Sequence, residues 1–208
     1  MKTTKPKLII FASGSATGGG SGFEKLVEAQ KANVLEADIV AVVSNHKNGG
    51  VAQRAKRLGV SFIYFKGPYT DTAYQRIIKD TGAEWTALSG WLKLVKGLNP
   101  KKTFNIHPAL LSYKNGVFGG RGMWGHHVHE AVKKELDKKE LSQSGFTMHF
   151  VNSEYDKGQI IFEKTVPLTV DMSAEEIGKA VNALEHKWQA ILTNKIIHNK
   201  IETDRCSR

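Results

Sequence analysis

Asn105, His107 and Asp156 are the residues whose types and settings best suit catalysis in this chain. Asn105-Ile106-His107-Pro108 reads as an extended tetrapeptide, because proline disfavours the helical region for the residue before it. In an extended chain, positions i and i+2 face the same side. Asn105 and His107 then point into one cleft while Ile106 packs behind them. A carboxamide donor holds a developing oxyanion, an effect worth on the order of 10²–10³ in rate. An imidazole moves protons near neutral pH, worth roughly 10²–10⁴. The pair suits acyl chemistry, although the same two residues also describe a satisfied structural cluster. Asp156 lies in the tight segment 152–158 and has two readings. An aspartate in a turn bonds its own backbone. Beside His107 it would orient the imidazole and raise its pKa. Spacing does not choose between them.

A second chemical feature is the glycine- and serine-rich stretch 13–22, with Gly14, Gly18, Gly19, Gly20 and Gly22. It joins a strand-like run at 8–12 to a helical pattern that starts near Phe23. A strand, a glycine-rich turn and a helix start make a phosphate cradle, with free N–H groups and the positive helix end aimed at the anion. The nucleotide versions are missing: there is no G-x-x-x-x-G-K-[ST] and no G-x-G-x-x-G, and the second strand ends in Ser44-Asn45 instead of an acidic residue. The plainer reading is a surface turn. His126, His127 and His129 suggest a metal, but no carboxylate or cysteine is expected at ligand spacing, so no metal is expected. His149, on a strand, reads as a hydrogen-bonded core histidine.

The elements that must position these residues alternate between strand and helix. Runs at 39–43, 60–65 and 85–89 read as strands, and runs at 51–58 and 70–81 as helices. This rhythm, with continuous apolar strands, argues for a mostly parallel sheet covered by helices on both faces. The second half differs. A short extended piece at 103–106 leads to His107, and a loop with five glycines runs to Gly125. A helix is expected over 125–139, with Val128, Ala131, Val132 and Leu136 inward. Alternating strands at 146–151 and 159–166, joined by 152–158, predict an antiparallel hairpin. Ser21 with Glu24, and Ser173 with Glu176, have capping-box spacing. The second opens a long helix with the stripe Ile177, Val181, Leu184, Trp188, Ile191 and Leu192. With no linker, one domain over 1–208 is expected, with 1–6 and 199–208 as flexible tails.

The chain has 208 residues, of which 40% are hydrophobic and 24% charged, values that suit a globular protein with a core. Its apolar runs are too short to cross a bilayer, and the start lacks a signal-peptide pattern. A cytoplasmic location and no membrane partner are expected. The only cysteine, Cys206, gives no disulfide framework. The net charge of +10 admits a nucleic-acid or small-anion partner. Most lysines fall beside acidic residues on helix faces, however, which favours a solvated surface and no nucleic acid.

Together these residues resemble the glycinamide ribonucleotide formyltransferase family, within the folate-dependent formyltransferase superfamily. The resemblance runs from about Leu8 to Lys195. It is carried by Ser13-Gly14 with Gly20-Ser21, Ser89-Gly90-Trp91-Leu92, Asn105-Ile106-His107-Pro108 and Gly125-His126-His127-Val128-His129-Glu130-Ala131. Thr147-Met148-His149-Phe150-Val151, Tyr155-Asp156-Lys157-Gly158 and Leu184-Glu185-His186 complete it. It implies a Rossmann-like fold and transfer of the formyl group of 10-formyltetrahydrofolate, as co-substrate, to the amine of glycinamide ribonucleotide in purine biosynthesis. It also implies that Gly20, Ser21, Gly22 and Glu185 bind the ribonucleotide. The folate would lie along Leu92, Lys93, Leu94 and Val95 and reach Asn105. Catalysis would fall to Asn105, His107 and Asp156, in a monomer or homodimer. This chain departs from the family pattern in a first loop about three residues longer, in Gly22 where asparagine is common, in Lys93 for a frequent arginine, and in Asp71 near a position where some members place arginine. The alternatives are a formyltetrahydrofolate hydrolase, a formyltransferase to another amine, or a non-catalytic module that binds anions or nucleic acid.

Overall fold

The computed structural model describes residues 4–200. Cys206, most of the expected C-terminal tail and residues 1–3 lie outside the described residues. Five strands come first: β1 Lys7–Phe11, β2 Asp38–Ser44, β3 Phe62–Tyr64, β4 Trp85–Ser89 and β5 Thr103–His107. Between them run the helices α1 Ser21–Lys31, α2 Gly50–Leu58 and α3 Asp71–Thr81. Then follow α4 His126–Asp137, β6 Gln143–Phe150, β7 Ile160–Pro167 and α5 Ala174–Ile197.

All seven strands form one sheet in the order β3-β2-β1-β4-β5-β6-β7. The first five run parallel, and β6 and β7 join antiparallel. The expected mostly parallel sheet with an antiparallel hairpin is what the chain forms. The chain leaves β1 toward β2 and β3, then returns to β4 on the other side of β1. That reversal opens a crevice at the carboxyl ends of β1 and β4, where open α/β sheets bind ligands.

Period two divides β1 between two cores. Leu8, Ile10 and Ala12 pack with buried residues of α1, α2, α4 and α5, such as Phe23, Val51, Val132 and Val181. Ile9 and Phe11 face the other side, with Tyr74 of α3, Phe65 and Trp91. Trp91 Nε1 donates to the buried Tyr74 hydroxyl at 3.1 Å, so the polar ends of this aromatic cluster satisfy each other.

Two local expectations need correction. The capping box of Ser21 and Glu24 does not form. Gly20, with φ 82, caps α1, and Ser21 is already its first residue. Glu24 turns instead to the guanidinium groups of Arg54 and Arg57, which hold its carboxyl below the usual range despite some burial. On α5, Ile191 faces outward at 38% exposure, while Gln189, Ala190 and Thr193 are buried. A helix pressed on the sheet and on α1 buries a wider face than a narrow stripe; Gln189 enters it with a partner, donating to Ser89 Oγ, while Thr193 Oγ1 is buried without one. The second box does form: Ser173 accepts from the Glu176 N–H, and the Glu176 side chain accepts from the Ser173 N–H. Thr70 caps α3 in the same spirit, accepting from the Ala73 N–H at 3.3 Å.

Candidate active site

Asn105 and His107 sit on the last parallel strand, and the register of β6 decides what faces them. Asn105 pairs with His149, and His107 with Thr147. Ile106 turns to the opposite core, as the alternation requires. Thr147 Oγ1 accepts the Leu111 N–H at 2.9 Å and donates to the Ala109 carbonyl at 2.7 Å. The hydroxyl thereby pins the turn after Pro108 and fixes the end of β5.

Asp156 arrives from the turn between β6 and β7. Its φ of 54 lies in the left-handed region, where a non-glycine residue is strained. It does not bond its own turn. Oδ2 accepts the Gly120 N–H at 2.9 Å, and Oδ1 lies 3.5 Å from Asn105 Nδ2 and 3.4 Å from His149 Nε2. The carboxylate thus stands between two histidines. Burial raises its pKa, but the neighbouring His149 and His107 rings and the Gly120 N–H outweigh burial, and it is held below the usual carboxylate range.

His107 is nearly fully buried. Nε2 lies 2.7 Å from the Phe118 carbonyl, which can only accept, so that nitrogen carries hydrogen. Nδ1 is left facing Asp156 Oδ2 at 3.7 Å, too long for a hydrogen bond. The sequence reading expected Asp156 to raise the His107 pKa. Asp156 and the Phe118 carbonyl do act upward, but burial acts downward more strongly and the net shift is down. His107 therefore rests neutral with Nδ1 unprotonated, and the 3.7 Å approach becomes an ion pair only once Nδ1 takes a proton. His149 is the buried, hydrogen-bonded histidine expected. Its Nδ1 lies 2.8 Å from the Phe150 carbonyl, which leaves Nε2 to accept from Asn105 Nδ2 at 3.1 Å. It also belongs to the cluster, since it orients the Asn105 amide.

These groups open onto a cleft of about 630 Å³ at the crevice between β1 and β4. Of the residues named from sequence, Gly20, Ser21, Gly22, Leu92, Asn105, His107, Asp156 and Glu185 line it. Lys93, Leu94 and Val95 do not. Val95 is buried in the aromatic core, and the Lys93 ammonium lies 5.6 Å from the centre of the Tyr69 ring. Glu185 keeps part of its surface in the cleft, yet the protein packed around it pushes its carboxyl up to about 7, against a 3.3 Å bond from Asn182.

Sequence reasoning missed several residues of the wall: Ser89, Arg121, Trp124, Asn182 and Gln189. Arg121 had a signal, as the only cation among the five glycines of the loop before α4. Ser89 had one in its place at the carboxyl end of β4. Asn182 and Gln189 had none, since helix polar residues face solvent by default. His129 also lines the cleft. Burial, with His107 and His126 nearby, pulls its pKa to about 4, and its Nδ1 is buried without a partner. One premise about the histidines is overturned: Glu130, one turn on, brings a carboxylate within 4.8 Å of the His126 and His127 donor atoms. All three are exposed, and a cation there would meet the positive end of α4.

The arrangement is a carboxamide donor, a neutral imidazole with a free lone pair and a carboxylate, at one end of a cleft whose other end is a glycine-rich helix start. The chain as a whole is similar to known proteins. A family described as "Formyl transferase" matches residues 7–192. The Phosphoribosylglycinamide formyltransferase, chloroplastic, of Arabidopsis thaliana is 32% identical over 95% of this chain and 68% of its own length. The Phosphoribosylglycinamide formyltransferase of Bacillus subtilis is 28% identical over 92% of this chain and 94% of its own. The crystal structure of glycinamide ribonucleotide transformylase 1 from Geobacillus kaustophilus superposes with a TM-score of 0.75 at 25% identity, covering 92% of this chain and 98% of that one. On the family match and the Arabidopsis relative, the chain belongs to the formyl transferase family.

Proposed function

We propose that this enzyme transfers the formyl group of 10-formyltetrahydrofolate to the amine of glycinamide ribonucleotide, with Asn105, His107 and Asp156 acting on the reacting carbon. The observation that carries this reading is the convergence of those three residues, with His107 Nδ1 free and 3.7 Å from Asp156.

The neutral amine attacks the formyl carbon, and the carbonyl oxygen becomes an oxyanion. The Asn105 amide, oriented by His149, donates to that oxygen. A proton leaves the attacking amine for His107 Nδ1, and Asp156 stabilises the imidazolium that results. The proton is then delivered to the folate N10 as its bond to carbon breaks. Tetrahydrofolate and the formylated amide leave, and His107 is neutral again. The Nε2 side of the ring is anchored throughout, because its N–H stays on the Phe118 carbonyl. The ribonucleotide phosphate lies at the start of α1 over Gly20, Ser21 and Gly22, where N–H groups and the helix end favour an anion. Glu185 contacts the same substrate. The folate lies along Leu92, the one residue of the 92–95 run that lines the cleft, and reaches Asn105.

A single domain over 1–208, in a monomer or homodimer located in the cytoplasm, goes with this reading. Mixing the protein with 10-formyltetrahydrofolate tests it. Release of tetrahydrofolate that depends on glycinamide ribonucleotide is the expected result. Equal release without the acceptor would mean a hydrolase, and no release with tight oligonucleotide binding would mean a non-catalytic module.

A further inference from the structure

Gly22, Ser89 and Gln189 meet on the floor of the cleft beside the start of α1. A Cβ on Gly22 would lie 2.3 Å from Ser89 Oγ and 2.8 Å from Gln189 Oε1. Position 22 has no room for a side chain because β4 and α5 already fill the space with polar atoms. Both are buried, Ser89 at 8% exposure and Gln189 at 2%, yet both line the cleft. Gln189 Nε2 donates to Ser89 Oγ at 3.0 Å. That bond occupies a lone pair and leaves the Ser89 hydroxyl hydrogen to donate. Buried hydroxyls find acceptors, and the open direction from Ser89 is the cleft. The neighbouring hydroxyl, Ser21 Oγ, is already within 3.1 Å of His186 Nε2. The α1 start adds backbone donors and the positive end of a helix of 11 residues. The donors gathered there, the Ser89 hydroxyl and the backbone N–H groups at the start of α1, suit the oxygens of a phosphomonoester.

We infer that Ser89 is a ligand-binding residue that donates a hydrogen bond to the phosphate of the bound sugar phosphate, filling the role for which Gly22 lacks a side chain. Gln189 is its positioning residue. This deepens the ribonucleotide reading above and rests on it for the identity of the substrate.

The test is an NMR-detected titration with two probes, ribose 5-phosphate and inorganic phosphate. Ser89→Ala is expected to bind both about tenfold more weakly than wild type, the loss of one hydrogen bond to a charged group. Gly22→Asn alone is expected to weaken both, since its Cβ meets Ser89 Oγ. Gly22→Asn combined with Ser89→Ala is expected to bind both more tightly than either single variant, because removing Oγ frees the space. Gln189→Leu is expected to raise KM for the phosphorylated amine and leave kcat and the KM of the formyl donor unchanged, a split that general loss of structure does not produce. If Ser89→Ala does not fold, Gln189→Leu in the same titration decides.

Binding of both probes by Ser89→Ala within about twofold of wild type overturns the inference. So does a loss for ribose 5-phosphate alone, which would put the contact on the sugar. A double variant no better than Ser89→Ala refutes the exchange with position 22, and a wild-type protein that binds neither probe refutes the site. The titration needs no turnover. A protein that binds both probes through Ser89 but formylates nothing would therefore sink the activity and leave this site standing.

Discussion

The Gly120 N–H donates to Asp156 Oδ2 at 2.9 Å, tying the turn after β6 to the glycine-rich loop before α4. A residue strained at φ 54 is held by a bond from a segment 36 positions away in sequence. That bond leaves Oδ1 free for the Asn105 and His149 side of the cluster. Asp156→Asn keeps the shape and removes the charge that stabilises protonated His107. Turnover should fall at least about tenfold with KM little changed, as expected for an interaction made mainly in the transition state. Steady-state kinetics checks it.

Asn105→Ala and His107→Ala remove the groups proposed as oxyanion donor and proton carrier. Each should lower turnover at least about tenfold, in line with the usual worth of such groups. Circular dichroism should report a folded protein in both cases. Wild-type turnover in a folded His107→Ala variant would refute the assigned role.

In the proposed mechanism His149 acts through Asn105 and not on substrate. His149→Phe keeps the buried volume but removes the acceptor that fixes the amide at 3.1 Å. An unanchored amide samples orientations that do not reach the oxyanion, so kcat should fall by about tenfold. Binding of glycinamide ribonucleotide by titration should stay within error of wild type. A variant with unchanged kcat would remove His149 from the cluster.

The pH dependence should split between binding and chemistry. Glu185 is pushed up to about 7, so its carboxylate forms as pH rises through neutrality. If the ionised form holds the substrate, kcat/KM should rise with an acid limb near 7, and Glu185→Gln should abolish that limb. His107 is pulled below the usual imidazole range by burial, so the acid limb of kcat should lie lower than that of an ordinary histidine. Stability moves the other way. An acid whose folded pKa exceeds its unfolded value of about 4.3 contributes stability fully below that value and loses it as pH rises through about 7. Glu185→Gln should therefore raise stability at pH 8 by on the order of 1 kcal/mol, because solvent in the cleft screens the full shift. Denaturant melts at pH 5 and pH 8 measure it.

Gly158 closes the turn against β6. A Cβ there would lie 1.6 Å from the Phe150 carbonyl oxygen, a backbone atom that cannot step aside. Gly158→Ala should cost about 2–4 kcal/mol, in the range of severe overpacking. Because the same turn carries Asp156, turnover should fall as well. Urea unfolding and activity on the same sample check both.

The sequence alone determined most of the elements and which face of β5 carries Asn105 and His107. Alternation at 105–107 put Asn105 and His107 on one face, since neighbouring side chains in an extended chain point oppositely. Proline at 108 and the run of strand and helix periods depend only on local backbone sterics and on which face meets apolar partners. Tertiary structure decided what local rules cannot contain. The Ser21 and Glu24 spacing promised a box, but two arginines from α2 claimed the glutamate. Asp156 could have bonded its own turn, but a distant glycine N–H drew it into the cleft. The sign of the His107 shift depended on how much protein surrounds the ring, a sum over residues remote in sequence. Pairing of β5 with β6 set His149 against Asn105, and docking of α5 on β4 set Gln189 against Ser89. Such contacts arise from strand register and helix placement, which close loops of tens of residues and so leave no mark at either end of the chain segment they join.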